Sequence, residues 1–91
     1  MSQIIVEREH CLGFKGAREQ AQHLAERLAQ QYAVSYCWDG DTLNVRRTGA
    51  QGTIVVDETR VRVSLKLGLL FSALSGTIKT EIEQALDKRL G

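Results

Sequence analysis

His10, Cys11, His23 and Cys37 are the only histidines and cysteines in the sequence, and so its only soft metal ligands. A zinc site draws on ligands paired at short spacing, as in CxxC or HxxxH. No such pair occurs here, so the spacing predicts no metal site and no cofactor. Cys11 next to His10 is the one place where an imidazole could activate a thiol. Neighbouring residues on a strand point to opposite faces, which works against that pairing. No Ser-His-acid or Cys-His grouping stands out, and Asp39 and Asp41 flank Gly40 as turn residues. The sequence therefore predicts no catalytic residue, and a protein that is not an enzyme.

Phosphate or RNA binding is the other chemistry to weigh. Arg46, Arg60, Arg62 and Lys66 form a basic row on strand positions that alternate with apolar ones. A nucleic-acid surface on a sheet carries aromatics between its charges, for base stacking. The outward positions around this row hold none, so the row reads as a solvated face with cross-strand ion pairs. The net charge of +1 fits that reading, and nucleic acid is not an expected partner.

These residues must be positioned by elements that the hydrophobic period reveals. Arg60–Leu67 alternates strictly, with Val61, Val63, Leu65 and Leu67 on one face and Arg60, Arg62, Ser64 and Lys66 on the other. Gln3–Glu9 is a first strand, with Ile4 and Val6 on one side and Ile5, Glu7 and Glu9 on the other. Gly16–Tyr32 is helical: Ala17, Ala21, Leu24, Leu28 and Tyr32 form one stripe, with charged and amide residues opposite. Ala33–Trp38 and Thr42–Thr48 are two strands around an Asp39-Gly40-Asp41 hairpin turn. After a turn at Gly49–Gly52, Thr53–Asp57 forms a fourth strand. A closing helix from about Gly76 to Leu90 carries Ile78, Ile82, Ala85, Leu86 and Leu90 on one stripe.

The order is β-α-β-β-β-β-α, an α+β fold in one domain over residues 1–91. The outer Glu7 and Glu9 would sit well beside Arg60, Arg62 and Lys66. That charge match gives a five-stranded, mostly antiparallel sheet of order 2-3-4-5-1, with both helices on one face, like a reduced helix-grip fold. Placing the first strand beside the second is the alternative. Ninety-one residues can bury roughly 60–65% of the unfolded surface. No segment resembles a signal peptide or a membrane span, so a cytoplasmic protein is expected. Its two cysteines are then expected as free thiols, buried or half-buried.

The alternation of the fifth strand breaks down after Gly68, where Leu69, Leu70, Phe71, Ala73 and Leu74 surround a lone Ser72. Such a run either closes the core or leaves an apolar lip for a partner. In the second case Leu69, Leu70, Phe71 and Leu74 carry the contact, with Lys66 at the rim. A groove between helices and sheet, lined by Leu24, Leu28, Trp38 and Leu65, would instead hold a small apolar acyl or hydroxyacyl ligand. Tyr36 and Trp38 share the apolar face of the second strand. If that strand is an edge, its unpaired backbone also offers a homodimer contact.

Several pieces follow one another in a set order: His10-x-Leu12-Gly13, an Ala-rich helix ending in Tyr32, Trp38-Asp39-Gly40-Asp41, Gly49-x-x-Gly52 with Ile54 after it, and Leu67-Gly68-Leu69-Leu70 before an Ile-containing helix. Their order and spacing resemble the small polyhydroxyalkanoic acid system proteins of Gammaproteobacteria. The resemblance implies a genomic association with polyhydroxyalkanoate synthesis and granule-surface proteins, and no established activity. The expectation built on it is an accessory protein of polyhydroxyalkanoate metabolism, with a granule surface or a granule protein as partner. It supplies no catalytic residues.

Overall fold

The strict alternation of the fifth strand becomes a buried face and a wet face. In the computed structural model, which describes residues 2–90 apart from the side chains of Ser2, Leu69, Leu70, Arg89 and Leu90, Val61, Val63, Leu65 and Leu67 are buried. The elements are β1 (Ser2–Glu9), α1 (Gly13–Tyr32), β2 (Ser35–Asp39), β3 (Thr42–Arg47), β4 (Ala50–Val56), β5 (Arg60–Leu67), a single-turn α2 (Leu69–Ser72) and α3 (Ser75–Leu90). All strand pairs are antiparallel, in the order β1-β5-β4-β3-β2. The charge match that suggested this order is present: Glu7 stands opposite Arg62 and Glu9 opposite Arg60, and Arg60 reaches Glu7 at 3.4 Å and Glu9 at 3.6 Å.

The two long helices cover the same face. Ala17, Ala21 and Ala25 are fully buried beside Leu24 and Leu28, so small side chains let α1 lie close over β2 to β5. Ile78, Ile82, Ala85 and Leu86 of α3 close the core over β1 and against α1. A fully buried aliphatic side chain of this kind stabilises by about 1.5–3 kcal/mol.

Three boundaries differ from the sequence reading. First, α1 begins at Gly13 rather than Gly16. Its N-cap Leu12 has no capping side chain, and the Leu12 N–H donates instead to His10 Nδ1 at 3.1 Å. Second, the β3–β4 turn is only Thr48–Gly49, with Gly49 at φ +86°, and Gly52 lies inside β4. A Cβ at Gly52 would collide with the Ser64 carbonyl and Leu65 Cδ2, so glycine lets the Leu65 side chain cross above the strand. Third, Ala33 ends α1 in the left-handed region at φ +57°, its N–H bonded to Ala29 O at 2.9 Å, so β2 starts only at Ser35. A residue with a Cβ in that conformation costs about 1–2 kcal/mol.

Candidate functional site

The candidate site lies at the end of the sheet where β5 runs into α2. Gly68 N–H donates to Gly49 O at 2.7 Å, which lays the chain over the β3–β4 turn. The Gly68 carbonyl then accepts from Phe71 N, Ser72 N and Ser72 Oγ at 3.0–3.1 Å, winding α2 into one turn. Phe71 points inward and is buried, with the Arg47 guanidinium 5.0 Å from its ring centre. Arg47 also donates to Tyr32 O at 2.6 Å, tying this corner to the end of α1. Leu74, just beyond α2, is 44% exposed.

The residues expected to form an apolar lip are thus divided. Phe71 anchors α2 to the core, Leu74 faces solvent, and the side chains of Leu69 and Leu70 lie outside the described residues. Lys66 stands exposed on the outer sheet face, with no ion pair among the described residues. It borders an open groove of about 620 Å³ that also takes in Gln3, Arg47, Gly49, Gln51 and Gly68. Sequence reasoning missed Arg47. Its signal was its register: it continues the inward set of Leu43 and Val45, so a cation there had to emerge at the sheet's end.

Of the second set, Leu28 and Leu65 line one small space beneath α1, whereas Trp38 lines a separate surface recess with Arg18 and Gln22. Leu24, Leu28 and Leu65 are core residues. Trp38 is half-buried at the α1–β2 border, where its indole N–H donates to Gln22 Oε1 at 2.8 Å and Arg18 lies 4.4 Å over its ring. The space beneath α1 that touches Leu28 and Leu65 is about 30 Å³, little more than one water.

The open sheet face carries the basic row. Arg60 is engaged by Glu7 and Glu9, while Arg46, Arg62 and Lys66 have no ion-pair partner among the described residues. Ile5 and Val55 are exposed on the same face.

The soft ligands are dispersed. His10 is buried; with Nδ1 accepting from Leu12, Nε2–H donates to Asp57 O at 3.1 Å, pinning the end of β1 to the β4–β5 turn. Asp57 Oδ1 accepts from Thr59 N at 2.8 Å and Arg60 N at 2.6 Å, and those backbone bonds hold its carboxyl below the ordinary range. His23 lies 3.7 Å from Glu26 on exposed helix surface. Both cysteines are free but exposed, a correction to the expected burial. Cys37 pairs with Asn44 on the outer face, and Cys11 sits in the bend before α1. Among the described residues no three His, Cys, Asp or Glu side chains gather as a metal site. Tyr32 on α1 donates to Glu81 on α3 at 2.7 Å, and burial, then that hydrogen bond, pushes its phenol up to about 12.

A family model described as "Putative polyhydroxyalkanoic acid system protein" matches residues 4–90. The chain belongs to this family. The match runs from β1 to α3 and so takes in the candidate site. Among solved structures, the NMR structure of PA4090 from Pseudomonas aeruginosa is similar with a TM-score of 0.61 and 7% identity, covering 97% of this chain and 83% of that one. At that identity the likeness shows a shared fold and nothing of function. No curated protein matches the sequence. No described helix is long and apolar enough to cross a membrane.

Proposed function

We propose that the protein is a non-catalytic accessory protein of polyhydroxyalkanoate metabolism that touches the granule surface, or a protein on it, with the end of its sheet. Family membership is the observation that carries this reading. Three features suit this reading: Leu74 exposed at the α2–α3 corner, Lys66 with no ion pair among the described residues, and the open groove that Lys66 shares with the β3–β4 turn and Gly68. Leu69 and Leu70 belong to the proposed contact by sequence, while Phe71 acts as the buried anchor that presents it. Burying ~300 Å² of apolar surface at ~25 cal/mol/Å² yields several kcal/mol before association costs, enough for weak and reversible attachment. The surface reading is preferred to an acyl carrier because the space beneath α1 that touches Leu28 and Leu65 is about 30 Å³, an order of magnitude below the about 300 Å³ that a ligand pocket requires.

Co-sedimentation with washed polyhydroxyalkanoate granules tests the reading. Wild-type chain pellets with granules, and folded Leu70→Asp and Leu74→Asp variants pellet much less. Equal pelleting of all three contradicts it.

A further inference from the structure

We propose that β2 pairs antiparallel with β2 of a second copy of this chain, with Cys37 on the two-fold axis. The hairpin geometry sets which backbone groups are free. Asp39 and Thr42 close a two-residue loop whose first residue, Gly40, has φ +64°, the position a type II′ turn gives to glycine. In such a hairpin the closing pair is hydrogen-bonded, and pairing then alternates. Asp39, Cys37 and Ser35 therefore spend their N–H and C=O groups on β3, whereas those of Tyr36 and Trp38 point out from the edge.

Little shields that edge. Ser35, Tyr36 and Cys37 are all exposed, and no Pro, Lys or Arg interrupts residues 33–39. Tyr36 lies on the helix-covered side, yet it stays 36% exposed because α1 does not cover it. No strand meets these outward backbone pairs; the Trp38 carbonyl accepts only a weak contact from the Cys37 thiol, at 3.6 Å. An edge of this kind with no blunting device is a template for another strand.

A second copy of β2 matches this template along its whole length. Full overlap of Ser35–Asp39 with itself centres on Cys37. The outward groups of Tyr36 then bond to those of the second copy's Trp38, and the reverse, giving four backbone hydrogen bonds. The same register sets Tyr36 across from Trp38 as an aromatic pair on one face. On the other face it sets the two Cys37 residues opposite each other as a non-hydrogen-bonded pair, about 4.5 Å apart at Cα. That separation lies within disulfide reach. Five residues a side make a small interface, so association is weak and needs concentrated protein. It is independent of the granule reading.

Sedimentation equilibrium from micromolar to millimolar chain, combined with cross-linking, tests the proposal. A Cys11→Ser chain treated with diamide forms a Cys37–Cys37 disulfide, the two thiols giving two electrons and two protons to diamide. A Cys37→Ser chain that keeps Cys11 cross-links far more slowly. Tyr36→Pro removes an outward N–H and the ring that meets Trp38, with no bond to β3 lost, which an edge strand tolerates, so the variant keeps its fold and weakens the dimer by about tenfold or more. Tyr36→Lys does the same without touching the backbone. A chain that stays monomeric at millimolar concentration, or a dimer indifferent to both Tyr36 variants, overturns the proposal. If Tyr36 lay on the axis instead, Cys37 would face Ser35; a chain carrying Ser35→Cys would then cross-link 35 to 37, overturning the register.

Discussion

The two edges of the sheet are finished differently. The last three residues of β1 are all charged, and the charges are used: Glu7 and Glu9 hold Arg60 on the outer face, and Arg8 turns under α3 to bind Glu83 at 3.1 Å and Asp87 at 2.8 Å. The Asp87 hydrogen bond, above all, raises the Arg8 pKa. Another strand meeting that edge would face a line of ion pairs. Along β2 the only charge is Asp39 at its tip, and only Trp38 is fastened, by Gln22 and Arg18. One edge is thus closed by electrostatics and an overlying helix, and the other is left as bare backbone. A sheet that needed both edges silent would not be built this way.

Disrupting the β1 side tests the contrast most severely. Ile82 is completely buried where α3 lies against the core, so Ile82→Ala should cost about 2–5 kcal/mol in denaturant unfolding. Gln22→Ala, which releases only the Trp38 indole beside β2, should cost about 1 kcal/mol. Equal losses would mean that the two sides are held alike.

Much of this architecture was legible in the residues. Alternation located β3 and β5, and Glu7 and Glu9 against Arg60 and Arg62 selected the partner of β1. What escaped notice had no local signal. Arg8 occupies an inward register, and only the distant Glu83 and Asp87 make that tolerable. Cys37 was expected inside from its residue type, whereas its register opposite Asn44 turns it outward. The run after Gly68 is too short to show a period, so nothing in it separated the inward Phe71 from the outward Leu74. Leu12 carries no capping oxygen, and the helix start at Gly13 was therefore invisible.

A smaller effect sharpens the account of the β1 edge. Arg8→Ala should lower stability by about 0.5–1 kcal/mol at low salt, since the groups are partly exposed, and by less as salt rises. Loss of several kcal/mol would assign Arg8 a structural role beyond ion pairing.

The Tyr32–Glu81 bond between α1 and α3 offers the mildest probe. With the native phenol raised to about 12 and an unfolded phenol near 10, the folded chain holds the proton more tightly. Its contribution is complete below about pH 10 and disappears as pH rises toward 12. Tyr32→Phe should flatten stability over that alkaline window and leave it unchanged in slope near neutrality. A wild-type phenol that titrates like a free tyrosine in ultraviolet difference spectra would contradict the bond.

The claim that the end of the sheet is the contact surface is tested most directly by amide hydrogen exchange with and without purified polyhydroxyalkanoate particles. The account predicts slowed exchange in residues 66–76 on particle binding, with β1 unchanged. Binding that leaves residues 66–76 unprotected, or protects a different surface instead, would contradict it.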